Sequence, residues 1–265
     1  LTNNVDKQAA LSDMCLAASA AATATVPLQF WFCRNPGLAL PLIALQYHEV
    51  KFIIQFSTDI VGDNSPTLDI GELWCDYIYL DTDERRRFAQ VSHEYLIEQL
   101  QTQQGVTLSN GSQTVDLTLN HPVKALYWTQ SRGRTQDLLY AQDATMTLGT
   151  QKLKLNGHDR FAQREAAYFT TVQRYEHHTG YPATLATDAY DDVSNRYEVN
   201  MFSFALEPEE HQPSGTCNFS RIDTAQLLLG QSTSINVNTN FTNLNIYAVN
   251  YNVLRIMSGM GGLAY

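Results

Sequence analysis

A chain of 265 residues is long enough for one large domain or two modest ones, each with its own core, and 44% hydrophobic with 11% aromatic residues spread along it excludes disorder. The formal net charge of −10 argues against a chain whose main task is gripping nucleic acid, because neutralising phosphates needs a basic face. Cys15, Cys33, Cys75 and Cys217 lie far apart without a CxxC pair, so neither a zinc knuckle nor a dense disulfide framework is suggested; no stretch reaches the roughly 18–20 apolar residues of a membrane helix.

In chain order, the Ala/Thr-rich segment 11–26 lacks the basic start of a signal peptide and is interrupted by Asp13, so it predicts a loop of small residues. Residues 26–32 alternate as a strand does and run into a turn at Arg34-Asn35-Pro36-Gly37. From His48 to Phe56 the even positions are mostly apolar, which predicts a half-buried strand. Further strands are predicted at 73–80, 95–100, 115–119, 123–128, 146–155, 197–206, 225–229, 235–241 and 244–256. Asn156-Gly157 has the chemistry of a tight turn that accepts positive φ. Two short helices interrupt the strands. Residues 82–90 open with acids and close with arginines, the charge order that a helix dipole favours, and 160–175 place Phe161, Tyr168, Phe169, Val172 and Tyr175 on one face. The Gln/Thr/Ser/Gly-rich segment 101–112 is the best linker, so a boundary is expected there, dividing the chain into 1–101 and 102–265. Many short strands separated by loops predict an all-β sandwich architecture, with the first part too short for a complete eight-stranded one.

The chemical constellations are weak. Glu176, His177 and His178, with His158 and His211 elsewhere, form the one cluster that suggests a metal, as a cupin-type enzyme would use. Adjacent residues diverge on a helix and oppose each other on a strand, so a contiguous pair rarely chelates one ion, and no metal or other cofactor is expected. No GxSxG, HExxH or GxxxxGK[ST] motif is present, so no catalytic residue is assigned. Gly259-Met260-Gly261-Gly262 has no following helix or lysine to cradle phosphate and is expected to form a flexible or tightly turning end. Trp31, Trp74 and Trp128 would stack on sugars if exposed, which keeps a carbohydrate-binding sandwich as the alternative, although such residues are more often core or interface anchors. Asn110, Asn218 and Asn240 head N-x-[ST] sequons, candidate glycosylation sites of which Asn110 has the most loop-like setting. Arg85, Arg86 and Arg87 follow Asp81, Asp83 and Glu84, so their field is largely cancelled; they are a solvated helix face or a subunit interface.

Several long blocks resemble the major capsid proteins of nucleocytoplasmic large DNA viruses. They are VPLQFWFCRNPGLALPLIALQYHEVK at 26–51, LWCDYIYLDTDERRRFAQVSHEYLIEQLQ at 73–101, NHPVKALYW at 120–128, LNGHDR at 155–160, LEPEEHQPSGTCNFSRID at 206–223 and IYAVNYNVLRIMSGMGGLAY at 246–265. The resemblance implies a double jelly roll, two eight-stranded antiparallel sandwiches. Residues 1–101 would be the C-terminal part of the first, because family members carry a longer N-terminal portion with its opening strands, and 102–265 would be the second. It also implies a structural protein without enzymatic activity. Three chains would make a homotrimer, a pseudo-hexagonal capsomer that meets neighbouring capsomers and minor or cement proteins, with indirect contact to an internal viral membrane and none to nucleic acid. Its location would be the virion capsid, assembled in the host cytoplasm. The loop 179–195, with Asp188, Asp191 and Asp192, would then be a solvated rim element.

Overall fold

The computed structural model describes residues 25–54, 72–108, 112–131, 148–179, 199–231 and 243–264. Asn110, Asn240, the strand expected at 235–241 and nearly all of the loops expected at 11–26 and 179–195 lie outside them. The chain divides into two compact units: Leu100–Asn250 makes up most of one, and Leu28–Gln99 with Tyr251–Tyr265 the other. One cut follows Gln99. Tyr251–Tyr265, however, groups with 28–99 rather than with 102–250, because the last long strand continues past the cut.

The larger unit is a sandwich of two sheets. Strands β1 (His93–Thr107), β2 (Gln113–Asp116), β3 (Pro122–Ser131), β4 (Leu148–Leu155), β5 (His158–Asp159), β6 (Arg164–Glu165), β7 (Val199–Ser203), β8 (Cys217–Asn218), β9 (Ala225–Gln231) and β10 (Asn243–Met257) follow in order. One sheet runs β1-β10-β3-β7, with β8 beside β3; the other runs β2-β9-β4-β5, with β6 beside β4. Alternation decides the inward face. Leu126 and Trp128 on β3, Leu227 and Leu229 on β9, and Leu244, Ile246 and Ala248 on β10 are all buried in one core with Val115, Leu153, Phe169 and Phe219. Each large apolar side chain removed from water this way contributes about 1.5–3 kcal/mol before chain entropy is set against it. The antiparallel register sets Ile246 opposite Trp128 and Leu227 opposite Leu153, so the buried rows of neighbouring strands coincide.

Two expected turns form as their chemistry requires. Asn156 and Gly157, at φ 51° and 79°, close the β4–β5 hairpin, and the Asn156 Oδ1 accepts from the backbone N–H groups of Asp223 and Thr224 at 2.9 and 3.2 Å. Ser258 and Gly259, at φ 52° and 80°, join β10 to β11 (Met260–Leu263), so the glycine-rich end is a tight hairpin rather than a flexible tail.

Two expectations are corrected in this unit. The segment 101–112 is not a linker: β1 runs through it to Thr107. Its glutamines replace a missing backbone ladder. Gln101 donates Nε2 to the Asn120 carbonyl at 2.6 Å and accepts from the Asn120 N–H at 2.9 Å, while Gln103 does the same with the Asp116 carbonyl and the Thr118 N–H, at 2.9 and 3.1 Å. The helix expected over 160–175 starts later. Residues 164–165 pair with β4, a π turn spans Tyr168–Val172, and α3 covers Gln173–His177. Phe161 precedes the helix and packs on Phe169 and Phe202 instead.

The smaller unit holds α1 (Trp31–Arg34), a 3₁₀ turn at Pro36–Leu38, α2 (Thr82–Gln90, as expected from its charges), the first part of β1, the end of β10, and β11. Residues 26–32, 48–54 and 73–80 alternate in sequence but form no strand. No neighbouring strand among the described residues accepts their backbone hydrogen bonds, and alternation without a ladder does not make a sheet. Ion pairs from Arg34 to Glu98 and from Arg255 to Glu94, both 2.7 Å, tie this unit's segments together.

Replacing Gly259 by alanine is expected to destabilise this unit by about 1–3 kcal/mol, since the added Cβ would sit 2.6 Å from the Tyr47 ring at a φ of +80°. Urea denaturation followed by tyrosine and tryptophan fluorescence would measure it; an unchanged midpoint contradicts the close approach.

Candidate functional site

In the interior of the sandwich, Trp128 projects from β3 and donates Nε1–H to the Gln151 Oε1 on β4 at 2.8 Å. Gln151 in turn donates to the Asn200 Oδ1 on β7 at 3.0 Å, and Asn200 returns a long hydrogen bond to the Trp128 carbonyl at 3.5 Å. All three residues are buried, Gln151 completely. Trp128 is therefore a core residue and no sugar platform. The sequence signal for this network was a glutamine occupying an apolar position of a strand, two residues before Leu153.

The histidine pair lies at the end of α3. His178 is the C-cap of that helix and its side chain is 1% exposed. Its Nδ1–H donates to the Glu209 carboxylate at 2.6 Å, which leaves Nε2 to accept from the Tyr127 hydroxyl at 3.2 Å, an arrangement of the neutral ring. Burial pushes the His178 pKa below its ordinary value, outweighing the opposing pull of Glu209. Burial also raises Glu209, but hydrogen bonds from the Thr179 hydroxyl, the His178 ring and the Thr179 backbone outweigh it and hold the carboxyl below its usual range. His177 hydrogen-bonds the Leu206 carbonyl through Nδ1 at 2.9 Å. His158 and His211 are exposed on other segments, and among the described residues no group of three or more His, Cys, Asp or Glu is placed to hold a metal ion. The role of Glu209 was invisible in the sequence because it meets His178 from 31 positions away.

On α2, Arg85, Arg86 and Arg87 are all exposed. Arg86 reaches Asp83 only at 4.0 Å, and Arg85 and Arg87 make no ion pair among the described residues, so the acids that precede them leave these cations largely unengaged. The same unit leaves large apolar side chains open, with Ile53 93%, Trp74 86% and Tyr79 91% exposed. Trp31 is half-buried, edge-on to Phe32 and near Tyr95. The half-buried Asn218 accepts the Ser220 N–H on its Oδ1 at 3.1 Å, while the Ser220 hydroxyl oxygen accepts the His121 N–H at 2.8 Å, so this sequon is folded into its own turn. Among the described residues no helix is long and apolar enough to cross a membrane.

The larger unit is thus a β-sandwich braced by a buried polar network, and the smaller unit exposes large apolar and cationic side chains. Comparison with known proteins shows the chain's family. The sequence profile of the large eukaryotic DNA virus major capsid protein family matches residues 84–262, and a profile for the major capsid protein N-terminus matches residues 1–81. The chain is 53% identical to the major capsid protein of Pyramimonas orientalis virus, over 92% of this chain and 61% of that protein. It is 41% identical to the major capsid protein of Paramecium bursaria Chlorella virus 1, over 91% of this chain and 66% of that protein. It thus spans less than two thirds of these relatives' length. Among solved structures, PBCV-1 VP54, a crystal structure fitted into a reconstruction of the virophage Sputnik, matches with a TM-score of 0.74 and 37% identity, covering all of this chain and 76% of that one. A quasi-atomic model of the PBCV-1 virus capsid matches with a TM-score of 0.71 and 35% identity, covering all of this chain and 77% of that one. The chain belongs to the family of large eukaryotic DNA virus major capsid proteins and has its antiparallel, double jelly-roll fold. These relatives are structural proteins and not enzymes.

Substituting Gln151 by leucine is expected to cost about 2–3 kcal/mol despite the added apolar surface, because the Trp128 N–H and the Asn200 amide would be left buried without their partner. Chemical denaturation of the variant measures it, and a loss below about 0.5 kcal/mol would show that the network does not brace the core.

Proposed function

We propose that this chain is the shell-forming portion of a major capsid protein, three copies of which join into a pseudo-hexagonal capsomer that abuts its neighbours to tile the virion shell. The observation that carries this reading is the match of a solved capsid protein to the whole length of the chain. The surface chemistry supports it. Exposed aromatic and aliphatic side chains at 73–79 lead directly into the cationic turn of α2, a combination that gains by being covered and paired at an interface. Arg85, Arg86 and Arg87 are assigned to such a contact, reaching acidic groups of a neighbouring copy. The net charge of −10 sets the chain against direct contact with the genome. Minor or cement proteins, an indirect link to an internal membrane, and assembly in the host cytoplasm complete the proposal, and the sequons at Asn110, Asn218 and Asn240 are its candidate glycan sites.

Light scattering on the purified protein is expected to give a trimer, near three times the 29.8 kDa chain mass, and electron microscopy to show hexagonal particles or arrays. A monomer that binds a sugar on a glycan array, using the exposed Trp74, would replace this reading with that of a carbohydrate-binding module. Reversing one charge with Arg86→Glu is expected to lower the trimer yield several-fold while changing folding stability by less than about 0.5 kcal/mol, as befits an exposed position. An unchanged yield would remove α2 from the interface.

A further inference from the structure

The two adjacent histidines serve the same piece of chain. His177 binds the Leu206 carbonyl, and His178 binds the Glu209 side chain, so both fasten the loop 206–214 to the end of α3. The loop is also closed on itself, since the Ser214 Oγ accepts from the Glu207 N–H at 2.9 Å. Glu209 is its half-buried anchor: one oxygen receives the His178 Nδ1–H and the Thr179 N–H, and the other receives the Thr179 hydroxyl at 2.7 Å. The residues around the anchor, Leu206, Glu207, Glu210 and His211, are exposed. Pro208 is the one buried residue of the loop, and six of its nine residues are exposed, so the two histidines are a main hold on it.

We propose that His178 and Glu209 form an acid-labile clasp that holds the surface loop 206–214 closed at neutral pH and frees it when the protein enters acidic surroundings. The geometry supplies the reason. Clasped, the ring spends Nδ1–H on Glu209 and offers the Nε2 lone pair to the Tyr127 hydroxyl, and protonation removes that lone pair inside a site closed to water. The charged or titratable groups that face the ring among the described residues are Tyr127 on β3, Glu209 on the loop, and Arg174 one turn back on α3, whose positive charge opposes a second one nearby. Released, the imidazole titrates near its ordinary 6.5. A histidine held neutral in the closed form contributes stability that is complete above that value and is lost as pH falls below it. Glu209, held ionised by its hydrogen bonds, contributes stability that is complete above its ordinary 4.5 and is lost on further acidification, so both groups open the clasp in the same direction.

The loop carries its own reporter, because Glu209 and Glu210 are sites for a glutamate-specific protease, whereas the Glu207–Pro208 bond resists it. Digestion of the whole protein, normalised to a free peptide of the loop sequence at each pH, is expected to cut the loop faster at about pH 5.5 than at about pH 7.5, by up to about tenfold, the ceiling for an imidazole that stays neutral when clasped and protonates when released. In His178→Asn, whose amide can still donate to Glu209 but does not titrate, the normalised rate is expected to stay level. A wild-type rate that does not rise, or a variant rate that rises as steeply, overturns the proposal. Should that variant fail to fold, the His178 ring pKa read by nuclear magnetic resonance on the unmodified protein decides: a value below 6.5 with the Glu207 and Glu210 amide signals moving in step supports the clasp, and a value at or above 6.5 rejects it.

Discussion

A strand exists only where another backbone accepts its hydrogen bonds, and that requirement orders most of this molecule. Where two alternating segments lie side by side, as β3 and β10 or β4 and β9 do, their apolar rows fall into register and close over one core. Where no described strand lies alongside, the same period-two pattern at 48–54 and 73–80 stays extended or irregular and its large side chains remain in water. The side-chain amides of Gln101 and Gln103 satisfy the requirement in a third way, standing in for a ladder beside the strand that should have supplied one.

The same accounting explains why polar residues are tolerated inside. Gln151 is completely buried between the two sheets, yet each of its amide groups meets a partner fixed on a strand of the facing sheet. Such a network adds little net stability, but it penalises every register in which Trp128, Gln151 and Asn200 fail to meet. In the proposed shell-building role, a sandwich repeated many times over gains from having a single arrangement.

Much of this was legible in the residues. The acids and arginines of 82–90 announced α2 to the residue, and Asn156-Gly157 announced its hairpin, because both signals are local and rest on dipole and φ chemistry. The capsid family was legible from long blocks of sequence. The glutamine-rich stretch misled because composition reports solvation, whereas its role depends on which backbone lies opposite. The partnership of His178 with Glu209 was hidden for the same reason: neither residue is unusual in its own neighbourhood, and only the fold brings them to 2.6 Å.

The pairing of β1 with β10 carries a consequence for synthesis. Gln101 meets Asn250 across 149 positions, Gln99 meets Asn252 across 153, and Glu94 meets Arg255 across 161. A ribosome must extrude the roughly 150 residues between before the partner of β1 emerges, so this edge waits unmatched while they are made. Nascent copies made close together on one messenger would share that vulnerability, and crowded polysomes are where entangled dimers, rather than finished subunits, would first arise.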